Sequence, residues 1–118
     1  MHLISGLQVL DFELQGMRDT LSSLDGAGIA HAGAGPTLRH TRAAATLQAG
    51  PVKVALLGCA DHPREWAAGG ASPGINLFDP FPSGGAMEWA RGEAAAARAA
   101  GADVIVLGAH YGGATEPR

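Results

Sequence analysis

The chain is predicted to be a mixed α/β domain, on three observations. A helix-spaced segment followed by an apolar strand-like run occurs twice, at 11–32 and at 87–107. Between them, two strand candidates are separated by a Gly-Pro turn, which inserts a β-hairpin. At 118 residues, with 47% hydrophobic and 16% charged side chains, the chain has material for one modest core and not for two.

The first helix is predicted to start near Asp11. Phe12, Met17, Leu21 and Leu24 recur at three-and-four spacing, while Glu13, Arg18, Asp19 and Asp25 take the opposite face. Gly26 and Gly28 supply its stop. Ile29 to Ala32 then reads as a short buried strand closed by a turn at Gly33, Gly35 and Pro36. The hairpin pairs Ala43 to Leu47 with Val52 to Cys59 across Gln48-Ala49-Gly50-Pro51. Residues 60–85 carry four of the seven prolines and are expected to form a long irregular crossover. Met87 to Ala100 is an alanine-rich helix ended by Gly101, and Val104 to Leu107 is a continuous apolar run of the kind buried inside a parallel sheet.

Eight basic and eleven acidic residues give a net charge of -3 without long blocks, so nothing marks a nucleic-acid surface. No nucleic-acid partner is expected. The longest apolar runs fall far below the roughly 20 residues that a membrane helix needs, and the first residues lack the basic and apolar regions of a signal peptide. The compartment is therefore left open. Cys59 is the sole cysteine, which rules out an intrachain disulfide and a Cys-x-x-Cys metal site. Following an apolar strand, it reads as a buried and inert thiol.

Several segments carry residues with site chemistry. Asp61-His62 joins a carboxylate to an imidazole directly after a strand, the pairing used in general acid-base catalysis, although Pro63 and the residues after it also suit a turn and helix cap. Ala32-Gly33-Ala34-Gly35-Pro36-Thr37 is glycine-rich after a strand, but it completes neither phosphate-loop pattern and reads as a tight turn. Arg39-His40-Thr41-Arg42 is a short basic cluster open to two readings, solvated surface or contact with an anionic polymer or phosphoester. Trp66 and Trp89 are read as packing anchors.

A resemblance emerges from the order of these segments. Val9-Leu10-Asp11-Phe12, Gly16-Met17-Arg18-Asp19-Thr20-Leu21, Leu24-Asp25-Gly26-Ala27-Gly28-Ile29 and Ala32-Gly33-Ala34-Gly35 follow one another at fixed distances. Val52-Lys53-Val54-Ala55-Leu56-Leu57-Gly58, Asp61-His62-Pro63-Arg64-Glu65-Trp66 and Ala102-Asp103-Val104-Ile105-Val106-Leu107-Gly108-Ala109-His110-Tyr111-Gly112 continue the series. Together they resemble the middle of the CapA family of capsule (poly-γ-glutamate) synthesis proteins. The resemblance implies a partial metallophosphoesterase-like sheet with flanking helices, whose loops hold divalent metal ions at strand ends. It also implies that residues 1–118 form a single partial domain, with the family's early aspartate motif and late histidine motif outside it.

Carried over residue by residue, the resemblance makes His110 a metal ligand; from the residues alone, a strand-end histidine bonded to backbone is the alternative. Asp11 matches an aspartate that would orient the family's catalytic histidine, and it equally suits a helix N-cap. Asp61 and His62 lie in a matching segment and are candidates for a substrate loop, a turn and helix cap being the alternative. The chain departs from the family where that family reads Asn-Asn-His, because Leu7 and Gln8 occupy the positions of the metal-binding asparagine and the catalytic histidine. Leucine cannot ligate a cation, and a glutamine amide has no proton to exchange near neutral pH. Divalent metal is thus implied by the family, with a complete site not expected in this chain. The alternative is a small noncatalytic α/β module that self-associates through open sheet edges.

Overall fold

The computed structural model describes residues 13–61, 64–78 and 85–110. Helix α1 (Glu13–Gly26) leads into a two-residue strand β1 (Ala34–Gly35), the short helix α2 (Leu38–Arg42), and the hairpin β2 (Ala45–Ala49) and β3 (Val52–Ala60). A single 3₁₀ turn at Arg64–Trp66 and a two-residue strand β4 (Gly74–Ile75) precede helix α3 (Ala86–Ala99) and strand β5 (Val104–His110). The mixed α/β class is as the sequence predicts. Among the described residues, no helix is long and apolar enough to cross a membrane.

Both long helices end as their glycines dictate. Gly28 (φ 71°) follows α1, with Ile29 N–H donating to the Leu24 carbonyl and Gly28 N–H to that of Asp25. Gly101 (φ 99°) does the same for α3, through Ala102 to Ala97 and Gly101 to Arg98. This is the Schellman closure, which needs a left-handed residue and satisfies carbonyls that would otherwise be orphaned. Lys53 reinforces the second closure, its Nζ donating to the Ala100 carbonyl at 2.7 Å, where a cation also meets the negative end of the helix dipole.

The larger sheet has the order β2-β3-β5. β2 and β3 are antiparallel, with Ala49 opposite Val52 and Ala45 opposite Leu56; β5 runs parallel to β3, from Val54 opposite Val104 to Ala60 opposite His110. The first hairpin strand lies two residues later than predicted. Gly50, at φ 61°, lets the chain turn within two residues, so the ladder persists to Ala49. β3 is the central strand, buried continuously from Val54 to Ala60, as a strand covered on both faces must be.

Two expectations are corrected. Ile29 to Ala32 is not a strand; the nearby strand is β1, which pairs antiparallel with β4 at Ala34–Ile75 and Gly35–Gly74. The reason lies at Gly33, whose φ of 88° breaks the extended path while its backbone is pressed on Gly58: a Cβ there would lie 3.0 Å from the Gly58 carbonyl carbon. Likewise β5 is parallel, but among the described residues it is the outermost strand of its sheet, with Val104 44% and Leu107 46% exposed. A purely apolar run therefore marks strand identity here without marking burial.

Within the crossover, the described segment 64–78 carries defined pairings. Leu77 bridges Ala60 in parallel fashion, and Ile75 bridges Ala67. Around β1 and β4, Met17, Ala34, Ala60 and Ile75 form a buried cluster, packed on by Leu21, Trp66 and Leu77. Met17 and Leu21 of the predicted apolar face of α1 thus meet the core. The helix α2 has no counterpart in the sequence reading; Thr37 caps it, its Oγ1 accepting from His40 N–H.

Candidate functional site

Because β3 and β5 are parallel, their carboxyl ends emerge at one edge of the sheet. Ala60 is the last residue of β3 and lies in register with His110, the last of β5. One residue on, Asp61 N–H donates to the His110 carbonyl at 3.3 Å, so the two candidate residues are fastened to adjacent strand ends. Asp61 is buried and His110 exposed. Asp11 and His62 lie outside the described residues.

The other flank of this rim comes from the crossover. β2 pairs with β3 only as far as Leu56, and beyond it segment 76–78 takes the freed edge. Ala60 N–H donates to the Asn76 carbonyl at 3.0 Å, and Phe78 N–H donates to the Ala60 carbonyl at 2.9 Å. The rim is thus built from three segments, ending in Phe78, Asp61 and His110.

Behind it lies a polar lock that the sequence reading missed. The Asn76 side chain is fully buried; its Nδ2 donates to the Gly58 carbonyl at 2.9 Å, and its Oδ1 accepts from Arg42 Nε at 3.1 Å. The Arg42 guanidinium lies 4.5 Å from the centre of the Phe78 ring, a cation-π distance. Trp89 completes the assembly: its ring centre is 5.4 Å from that of Phe78, and its Nε1 donates to the Arg42 carbonyl at 3.1 Å. Arg42 was visible in the sequence only as the end of a basic cluster. Asn76 lies 34 residues away from it, and no local spacing joins the two.

A divalent cation demands several oxygen or nitrogen donors in one place. Asp61 and His110 are of the right kind, a carboxylate and an imidazole. Among the described residues, however, no group of three or more His, Cys, Asp or Glu side chains converges as a metal site would require. Cys59 is buried in β3, consistent with packing and not with nucleophilic attack. The glycines at 33 and 35 serve close backbone packing, against Gly58 and His40 respectively.

A groove of about 580 Å³ lies elsewhere, between α1 and the segments that follow it; Met17, Leu21, His31 and His40 are among its lining residues. His31 Nε2 is 2.8 Å from Asp25 Oδ1 there. Neither Asp61 nor His110 contributes to that groove.

The fold is of the mixed α/β class, and in open sheets of that class the carboxyl ends of parallel strands are where ligand crevices commonly lie. Comparison with known families makes this specific. Residues 8–118 match the family of bacterial capsule synthesis proteins designated PGA_cap, and the chain belongs to that family. It is also similar to two proteins of Mycobacterium tuberculosis, from strains CDC 1551 / Oshkosh and ATCC 25618 / H37Rv, each named a probable polyglutamine synthesis accessory protein. Identity to each is 36% over 75 residues, covering 59% of this chain and 20% of the relative.

Proposed function

We propose that this chain serves capsule or polyanion synthesis, poly-γ-glutamate being the polymer class, as part of a metallophosphoesterase-like domain that lacks a complete catalytic set. The observation that supports it most is the fastening of Asp61 to His110 at neighbouring parallel strand ends. A cation held there would supply Lewis acidity and an activated water. His110 would be one of its ligands, with Asp61 in an acid-base role, and the rim would orient an anionic phosphoester. Leu7 and Gln8 cannot provide the further ligand and the proton donor that turnover requires. Residues 1–118 are accordingly read as a single partial domain.

A second reading is favoured by a different observation. Val104 and Leu107 expose apolar surface on an edge strand, the form of an interaction module that seeks a partner strand or a second copy. Titration with Mn²⁺, followed by calorimetry and thermal unfolding, separates the two. Stoichiometric uptake that raises the melting temperature, and that is lost in His110→Ala, supports the metal-site reading. No uptake leaves the noncatalytic module.

A further inference from the structure

We propose that Arg42 is an oxyanion-binding residue at this strand-end rim, holding a phosphate or carboxylate group through its terminal guanidinium nitrogens. The inference deepens the reading above and rests on it for the site's role, though not for Arg42's geometry.

Two contacts fix the side chain and a third fixes its main chain. Nε is spent on Asn76 Oδ1, and Asn76 is itself immobilised by full burial and by its bond to the Gly58 carbonyl. The guanidinium plane is backed by the Phe78 ring, and the main chain is held by Trp89. Nε is one of five donors on a guanidinium, and among the described residues no bond is made by the four N–H groups of the two terminal nitrogens, which are the donors a ligand would use. Among the described residues, no carboxylate forms an ion pair with Arg42; the ion pair formed there is His31 with Asp25.

A guanidinium made rigid by a buried amide and a ring loses little entropy when it takes up a ligand, and its fork matches two oxygens of a phosphate or carboxylate. Its location gives this consequence. Phe78, on which Arg42 rests, is bonded to Ala60, and Ala60 is in register with His110. The Phe78 main chain, whose ring Arg42 packs on, thus borders the strand end that carries Asp61, on the side opposite β5. Arg39, exposed on the same short helix, has none of these supports.

The test uses the 118-residue chain in metal-free buffer, titrated separately with inorganic phosphate and with triglutamate, while the side-chain Nε–H resonance of Arg42 is followed by NMR and affinity is measured by calorimetry. Expected is a saturable shift of that resonance and binding at least tenfold weaker in Arg42→Lys, which keeps the charge but loses the fork, with Arg39→Ala unchanged. Tighter binding of phosphate identifies a phosphoester site, and tighter binding of triglutamate a polymer-carboxylate site. Equal affinity of wild type and Arg42→Lys, or no saturable shift with either anion in the wild type, overturns the proposal; the second criterion holds even if the variant does not fold. Since metal is absent, failure of Mn²⁺ uptake together with intact anion binding would remove the metal-site reading and leave Arg42 in place.

Discussion

Asp61 and His110 are joined through the backbone, the amide of the first donating to the carbonyl of the second at 3.3 Å. This bond carries the β3–β5 pairing one residue past the end of β3, so that residues 49 positions apart in sequence share one edge of the sheet. The candidate site depends on the parallel register for this adjacency and on the crossover, through Asn76 and Phe78, for its other wall.

The crossover wall yields a stability prediction. Asn76→Ala removes two hydrogen bonds and leaves the Gly58 carbonyl and Arg42 Nε without their partner. Each buried group so stranded costs about 1–3 kcal/mol. With the Gly58 carbonyl buried and Arg42 only half-buried, a loss of about 1–3 kcal/mol from the carbonyl, with a smaller addition from Arg42, is expected in urea unfolding monitored by circular dichroism, whereas a change below about 0.5 kcal/mol, typical of a surface substitution, would show the lock to be dispensable.

Two glycines should respond in opposite directions. A Cβ on Gly58 would lie 2.8 Å from the Ala32 carbonyl oxygen and 3.0 Å from the Gly33 Cα, so backbone must move; Gly58→Ala should destabilise by about 1–3 kcal/mol. Gly92 lies exposed within α3, with nothing within 4 Å of a Cβ. Gly92→Ala should stabilise by roughly 0.5–1 kcal/mol, through reduced freedom of the unfolded chain. Thermal unfolding of the two variants checks both signs.

Much of this architecture is legible in the sequence because its signals are local. Gly28 and Gly101 mark helix ends that the structure places within a residue or two, and Gly50-Pro51 marks the hairpin turn. What escapes is long-range. Nothing near Ile29 to Ala32 announces that Gly33 must approach Gly58, and the apolar run in β5 cannot reveal which of its faces is covered. The placement of Asp61 and His110 at strand ends is legible from the apolar runs that precede them. The Arg42–Asn76–Phe78 lock is not, since three separate segments create it.

The exposed side of β5 should govern association. Leu107 is 46% exposed, so Leu107→Lys loses little buried surface and places a charge beside the sheet edge. Sedimentation velocity is expected to show self-association of the wild-type chain, reduced by this variant with an unchanged melting temperature. A wild-type chain that stays monomeric across the concentration range would count against an open edge.

Repair at the Asn-His position should fail in these 118 residues. Leu7→Asn with Gln8→His adds one metal-binding amide and one imidazole that would serve the substrate proton. On the proposed reading, the family-type metal ligands among these residues would then be the new asparagine and His110, fewer than a dinuclear site needs. Metal-dependent phosphodiester cleavage by the double variant, absent from the parent chain, would show that the site has been misplaced.

The most direct measurement is hydrolysis of a chromogenic phosphodiester by the purified chain with added Mn²⁺, run beside His110→Ala. On the proposed reading, in which Leu7 and Gln8 take the places of the ligand and the proton donor, no turnover above the metal-only background is expected from either protein. Turnover by the wild-type chain that disappears in His110→Ala would contradict the claim that the catalytic set is incomplete.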